Sequence, residues 1–196
     1  MDFFEAVRTR RSIRAFQSRS IEEEKMNRIV EAVNLAPSAG DLQAYEIVVV
    51  KDLGRRRELA KAAGAQEFLS QAPVCLVFLA HPERSSRKYG KRGSELYCLQ
   101  DATIAAAYAQ LAAAALGLAS TWVGAFDDEA VANVVEAPRS KRPIAIMPIG
   151  YGAETPEITP RRRISEIIYS ETFGEAYPSF SFTDESFKRP IWEPSP

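Results

Sequence analysis

The chain has 196 residues, 46% hydrophobic and 26% charged, with 25 basic and 26 acidic side chains for a formal net charge of −1. That length and composition suit one globular domain with a sizeable core, and the near-neutral balance argues against a dedicated nucleic-acid binder. A single histidine, His81, and two cysteines, Cys75 and Cys98, without CxxC or HExxH spacing, offer no metal constellation and only a strand-end imidazole for a hydrolase.

Residues 2–8 predict a short helix with Asp2 as its N-cap. Ser20, Ile21, Glu22 and Glu23 have the form of a capping box; the helix they open carries Met26, Ile29, Val30 and Val33 at helical spacing and stops before Pro37. Residues 46–50 are short and β-branched, which predicts a buried strand. A polar-faced helix over 53–63 is closed by Gly64, and 72–80 is a second buried strand. Residues 81–93 are polar and predict a loop.

The stretch 99–116 predicts one long helix stopped by Gly117, roughly 27 Å at 1.5 Å per residue. Gln100, Asp101 and Gln110 exclude a membrane span. Its many alanines, Ala105 to Ala107, Ala109 and Ala112 to Ala115, predict burial around the whole circumference, at the centre of one core or at a seam between two subunits. Residues 120–126 predict a strand ending at a glycine, 127–135 a short helix and 141–151 another strand. Helices alternating with continuously apolar strands indicate a layered α/β or α+β sandwich. From Ser170 the periodicity stops, yet Phe173, Tyr177, Phe180, Phe182, Phe187 and Trp192 remain; disordered tails are poor in aromatics, so 170–196 predicts an arm laid on its own subunit or a partner. With no signal-peptide pattern at the N-terminus, the cysteines are expected as buried reduced thiols and the location as cytoplasmic.

Three stretches could carry chemistry. The first is "TRRSIRAFQSRSI" (9–21), whose arginines fit a solvated face, a nucleic-acid patch or an anion clamp. If the chain is extended there, Arg10, Ser12 and Arg14 point to one side and Arg11 and Ile13 to the other, giving a multi-donor surface for phosphate or carboxylate. The second is 37–43, where Pro37, Ser38, Ala39 and Gly40 form a tight turn that a flat ligand can approach and Gln43 brings an amide that both donates and accepts. The third is Arg161 and Arg163, a second cationic pair at alternate positions.

The motifs "RRSIRAF", "APSAGDLQAYEIVVV", "QDATIAAAYAQLAAAALGLASTWVGAF" and "PIGYGAETPEITPRRRISEII", in this order and spacing over about residues 2–169, resemble the nitroreductase-like, FMN-dependent oxidoreductases. The resemblance implies an α+β three-layer sandwich with a central, mostly antiparallel sheet flanked by helices. It also implies a single domain over 1–169 and a homodimer with two FMN sites at the subunit interface. By the same resemblance Arg10, Arg11, Ser12 and Arg14 fall on the first flavin-binding segment, with Arg10 at the phosphate and Arg14 near the flavin N1/O2 edge. Pro37, Ser38, Ala39 and Gln43 match the segment supplied by the other subunit. Gly124 matches the glycine whose backbone N–H faces flavin N5, and Arg161 and Arg163 match the late basic pair at the phosphate. The family often has asparagine where this chain has Asp41, and an ionised carboxylate cannot donate there. The 83–93 region, with Arg84 as a candidate contact, is short compared with the family's larger members.

The implied activity is hydride transfer from NADH or NADPH through flavin N5 to a nitroaromatic, quinone or related small acceptor, by a ping-pong mechanism without a catalytic side chain. The absence of a GxGxxG fingerprint agrees, because the nicotinamide need not have its own Rossmann domain. Alternatives are a same-fold flavoenzyme that dehalogenates, fragments flavin or dehydrogenates its substrate, and a nucleic-acid module using the arginines of 8–19 and 84–92.

Overall fold

The computed structural model describes residues 1–178 and divides the chain into two compact units, Met1–Thr155 and a second that begins at Pro156. In the first unit the elements run α1 (Phe3–Thr9), α2 (Glu23–Asn34), β1 (Tyr45–Val50), α3 (Leu53–Ala62), α4 (Phe68–Gln71), β2 (Val74–Ala80), α5 (Pro82–Arg92), α6 (Cys98–Ala115), β3 (Ala119–Ser120), α7 (Asp128–Val134) and β4 (Arg142–Gly150). The strands form one antiparallel sheet in the order β1-β2-β4-β3.

Alternate residues of β2 and β4 feed two cores. Leu76, Phe78, Met147 and Ile149 pack on one face with Met26, Ile29 and Val33 of α2 and the alanines of α6. Cys75, Val77, Leu79 and Ile146 pack on the other with Leu59 and Ala60 of α3 and Val131 of α7. A sheet covered on both faces needs apolar residues at every position, which is why β2 is continuously apolar and buried along its whole length. The result is the expected α+β architecture of helices, antiparallel sheet, helices. Cys75 and Cys98 are free thiols in different layers, both buried.

Local chemistry explains most helix ends. Asp2, Asp52 and Asp127 each accept a hydrogen bond at 2.8 Å from a backbone N–H three residues on. Helix α6 closes as a Schellman motif: Gly117, at φ +72°, donates to Ala114, and Leu118 donates to Ala113.

Four expectations change. The capping box at Ser20 does not form; α2 starts two residues later, with Glu22 as its N-cap, and Glu22 makes no side-chain cap bond because its carboxylate is engaged by Tyr151 and Arg19. The polar stretch 81–93 is not a loop but helix α5, with Pro82 in its first turn, a break at Gly90 (φ +55°) and a π-helical turn Gly93–Tyr97 leading into α6. Its composition is polar because it buries only Ser85. Within the single chain the long helix α6 is buried on one stripe, Cys98, Asp101, Ala102, Ala105, Ala106, Ala109 and Ala113, while Thr103, Ala107 and Tyr108 are exposed, so α6 is not the centre of one core and only the reading as a seam between subunits is left. The strand expected over 120–126 is interrupted. Ile146 exchanges both main-chain bonds with Val123, but two residues on, Pro148 has no N–H to offer the same edge.

In the second unit a 3-10 turn, Ile164–Glu166, precedes a bridge between Tyr169 and Ala176. Phe173 and Tyr177 are exposed there. The remaining aromatic residues expected along the arm, Phe180, Phe182, Phe187 and Trp192, lie outside the described residues.

Candidate functional site

The arginine segment is held from its main chain. After α1 ends, Ser12 bridges Ser120 in parallel and the Ile13 N–H donates to the Ser120 carbonyl at 3.1 Å. The Gln17 N–H then donates to the Tyr151 carbonyl and the Ala153 N–H to the Ala15 carbonyl, each at 2.9 Å. Ile13 and Phe16 anchor the stretch by burying beside Ala72. Residues 12–17 thus extend the sheet at its β3 edge. Their alternation leaves Ser12 half-buried and Arg14 exposed while Ile13 is buried, as the extended reading requires. Arg10 is half-buried at the C-cap of α1. Arg11 turns back: its Nη1 donates to the carbonyls of Arg8 (2.8 Å) and Arg10 (2.9 Å), satisfying acceptors at the end of α1. The Arg14 N–H donates to the Glu154 carboxylate.

Arg19 has a different task. Its guanidinium lies 3.9 Å from the centroid of the Tyr151 ring and bonds Glu22 at 2.8 Å. The Tyr151 hydroxyl donates to Glu22 at 2.6 Å and accepts from Lys25 at 2.8 Å. The Tyr151 hydroxyl, helped by a backbone N–H, Arg19 and Lys25, holds the Glu22 carboxyl down at about 2. This network fastens α2 to the end of β4 beside the arginine segment.

The second cluster surrounds the turn between α2 and β1. Gly40, Asp41 and Gln43 have φ of +59°, +57° and +45°, so the chain doubles back in left-handed steps that suit glycine and tolerate Asp better than bulky residues. The bracing comes from α6. The Asp101 carboxylate, 1% exposed, accepts from the backbone N–H of Ala39 at 2.9 Å and of Ala44 at 3.3 Å. Within the turn, Ser38 Oγ accepts from the Gln43 N–H at 2.8 Å. The Gln43 amide donates to the Asn34 carbonyl at 2.9 Å, so one donor is engaged within the chain and its Oε1 is the acceptor it can present. Arg84 of α5 donates to the Gln43 carbonyl at 2.9 Å. Pro37 and Asp41 are exposed at the surface of the turn.

Sequence reading noted Asp101 only as a break in an apolar run. The available signal was its position: a carboxylate on the apolar stripe of an alanine-rich helix must find donors, because an unpaired buried charge is costly. Beyond the turn, Glu46 of β1 gathers His81 (Nδ1 at 2.8 Å), Lys141 (3.3 Å) and Arg84 (3.8 Å), tying the start of α5 to the sheet.

Gly124 follows Val123, whose bridge to Ile146 keeps this stretch on β4, so it continues the edge on which Ser12 meets Ser120. A Cβ there would lie 3.3 Å from the Trp122 indole nitrogen, and the residue is exposed. In the second unit, Arg161 donates to the carbonyls of Thr159 and Pro160, and Arg163 is the N-cap residue of the 3-10 turn.

The candidate residues therefore group as two clusters on different supports. Ser12 and Arg14 lie in the stretch that meets the sheet at Ser120 and Tyr151, with Arg10 before them at the end of α1, while Gly124 follows the Val123 bridge to β4. Pro37, Ser38, Ala39 and Gln43 are carried by α6 and α5. Guanidinium and hydroxyl groups carried on or beside a fixed main chain suit an anionic ligand, and a small-residue turn of fixed shape suits a flat one.

The Nitroreductase family model matches residues 7–66 and 53–151 of the chain. An FMN reductase [NAD(P)H] of Bacillus subtilis is 30% identical over 176 residues, covering 83% of this chain and 71% of that protein. An NADH dehydrogenase of Thermus thermophilus is 30% identical over 181 residues, covering 79% and 88%. Among solved structures, the NADPH:FMN oxidoreductase of Vibrio harveyi complexed with NAD+ superposes with a TM-score of 0.81 at 27% identity, over 89% of this chain and 79% of that one.

Proposed function

The chain belongs to the nitroreductase family, and on that premise we propose that it is an FMN-dependent oxidoreductase that takes hydride from NAD(P)H and passes it to a nitroaromatic, quinone or related acceptor by a ping-pong route. The observation that carries this reading is the pinned arginine segment. Main-chain bonds to Ser120 and Tyr151 hold residues 12–17 in the sheet, which gives Ser12 and Arg14 a fixed main chain, with Arg10 just before them at the C-cap of α1.

The residues present fit FMN by their chemistry. Arg10 and Ser12 are suited to a phosphate, and Arg14 to the electron-rich N1/O2 edge of the ring. The turn of Pro37, Ser38 and Ala39 is small enough for a flat ring to approach, and Gln43 Oε1 would accept from a ring N–H. Gly124 would offer a backbone N–H at N5. The chemistry such a group supplies when bound is two-electron hydride storage between reductant and acceptor. Asp101 keeps the turn in one shape before the ligand arrives, so little ordering cost falls on binding.

The proposed assembly is a homodimer in which each FMN lies at the subunit interface. Phe3, Phe4 and Val7 of α1, Val30 of α2, Leu35 at its end and Tyr108 of α6 are all exposed, Leu35 at 70% and Phe4 at 67%. A run of large apolar groups on packed neighbouring helices marks a protein interface. The exposed small-residue stripe of α6 continues the same surface.

The purified protein should be yellow, release about one FMN per chain on denaturation, elute as a dimer, and consume NAD(P)H steadily with a quinone or nitroaromatic acceptor. A colourless protein that ignores added FMN overturns the reading. Bound flavin with no steady turnover of any such acceptor favours dehalogenation, flavin fragmentation or substrate dehydrogenation on the same fold.

A further inference from the structure

Helix α5 holds five cations among its eleven residues, Arg84, Arg87, Lys88, Lys91 and Arg92, against one acid, Glu83. A helix so charged repels itself and contributes little to the core, so its composition needs another reason. Resting on the reading of the chain as an NAD(P)H-dependent oxidoreductase, we propose that α5 and the π-helical turn after it bind the adenosine end of the reductant through its 2′-phosphate, making NADPH rather than NADH the working substrate.

Position is the first argument. Helix α5 lies on the turn at the candidate site: Arg84 bonds the Gln43 carbonyl, and a Cβ on Gly40 would lie 2.6 Å from Lys88 Nζ and 2.3 Å from Tyr89 Oη. The missing side chain of Gly40 is what lets the Lys88 ammonium rest at the turn. A reductant placing its nicotinamide at that turn has its adenosine end within reach of the same helix.

Availability is the second. Arg84 is shared with Glu46 and Lys91 pairs with Glu95 at 3.7 Å. Among the described residues no carboxylate lies within 4.0 Å of the charged groups of Arg87 or Lys88, and both are exposed. A phosphate monoester carries a charge of about −1.5 to −2 at neutral pH, and two cations with no carboxylate paired to them match it.

A place for the base is the third. Tyr97 stands edge-on to Tyr89 with ring centroids 5.1 Å apart, and the Arg92 guanidinium is 5.3 Å over the Tyr97 ring while its Nε bonds the Tyr97 hydroxyl at 3.0 Å. Tyr97, Leu99, Ala39 and Asp101 are among the residues lining a cavity of about 530 Å³, within the size range of small-molecule sites. A purine can stack on the tyrosine–guanidinium surface and leave its ribose 2′-phosphate at Lys88 and Arg87.

The test uses the full-length, FMN-loaded protein with one fixed acceptor. It compares kcat/KM for NADPH and NADH and, by titration calorimetry, binding of adenosine 2′,5′-bisphosphate, 5′-AMP and inorganic phosphate. NADPH should be preferred about tenfold or more, and the bisphosphate should bind where 5′-AMP and inorganic phosphate do not. Arg87→Ala with Lys88→Ala should raise KM for NADPH, bring the ratio of the two reductants toward one and abolish bisphosphate binding. Arg87→Lys with Lys88→Arg should keep the preference. Equal use of both reductants, or a preference that survives the double alanine change, overturns the proposal while leaving the oxidoreductase reading intact. Oxidation of neither reductant overturns both.

Discussion

The Asp101 carboxylate, buried on α6, accepts a hydrogen bond from the backbone N–H of Ala39 at 2.9 Å across 62 residues of sequence. Its other oxygen takes the Ala44 N–H, so one side chain fixes both ends of the turn that the candidate site is built on. Asp101→Asn keeps the size but sets an amide NH₂ against one of the two donors. The expected cost is about 1–3 kcal/mol of stability, read as a lower urea midpoint of the FMN-free protein, together with weaker FMN binding by fluorescence titration. An unchanged midpoint and affinity would remove the bracing role.

Arg10, at the C-cap of α1, and Arg14, in the pinned segment, should do separable work. Arg10→Ala should weaken FMN retention on dilution. Arg14→Ala should lower the flavin reduction potential, because a cation beside the ring's N1/O2 edge favours the more negative reduced form. Spectroelectrochemistry against a reference dye measures the second effect; equal affinity losses with an unchanged potential would show that the two arginines are not divided in this way.

Glu22 gives a pH signature. Its carboxyl sits at about 2, against an ordinary value of 4.5, held there by the Tyr151 hydroxyl first. A depressed folded value stabilises above the unfolded one and is lost as pH falls through the folded one. The urea midpoint of the native chain should therefore exceed that of Glu22→Gln by a constant margin above pH 4.5, and the margin should close between pH 4.5 and about 2. A margin independent of pH would count against the Tyr151 bond.

Burial pushes the Cys75 thiol up to about 12 and raises that of Cys98 as well. Neither should be a thiolate at pH 8, so an aromatic disulfide reagent should find no fast-reacting thiol in the native protein and both after unfolding in urea. A rapid native reaction at either position would contradict the packing of its core layer.

Gly150 is a contact rather than a turn. A Cβ there would lie 2.6 Å from Pro73 Cδ and 3.1 Å from Phe16 Cδ1, both parts of stiff rings. Gly150→Ala should cost about 1–3 kcal/mol, seen as a lower thermal midpoint, and should loosen FMN because Phe16 anchors the arginine segment.

Much of the fold was legible in local pattern. The buried strands, the Asp2 cap and the glycine stop of α6 follow from side-chain chemistry within a few residues, so the chain announces them directly. Helix α5 was not, since a helix that buries one serine has no apolar period to read. The capping box at Ser20 is likewise not realised: α2 takes Glu22 as its N-cap, a residue tied to Tyr151, 129 residues away, and no local rule weighs such a tie.

The site divides in the same way. The sequence alone determined which residue types were available: cations and a hydroxyl at alternate positions in 10–14, a small-residue turn at 37–40, an amide at Gln43. It also determined that Arg10, Ser12 and Arg14 share a side once the segment is extended, because strand alternation is a property of the backbone. The tertiary structure decided that the segment is extended, through the bonds of Ser120 and Tyr151. It decided that Arg11 closes α1 and Arg19 stacks on Tyr151. It decided that a carboxylate from the middle of α6 holds the turn. These outcomes depend on which groups meet across long stretches of chain, and a buried charge or a main-chain donor accepts whichever partner the packing brings within 3 Å or so.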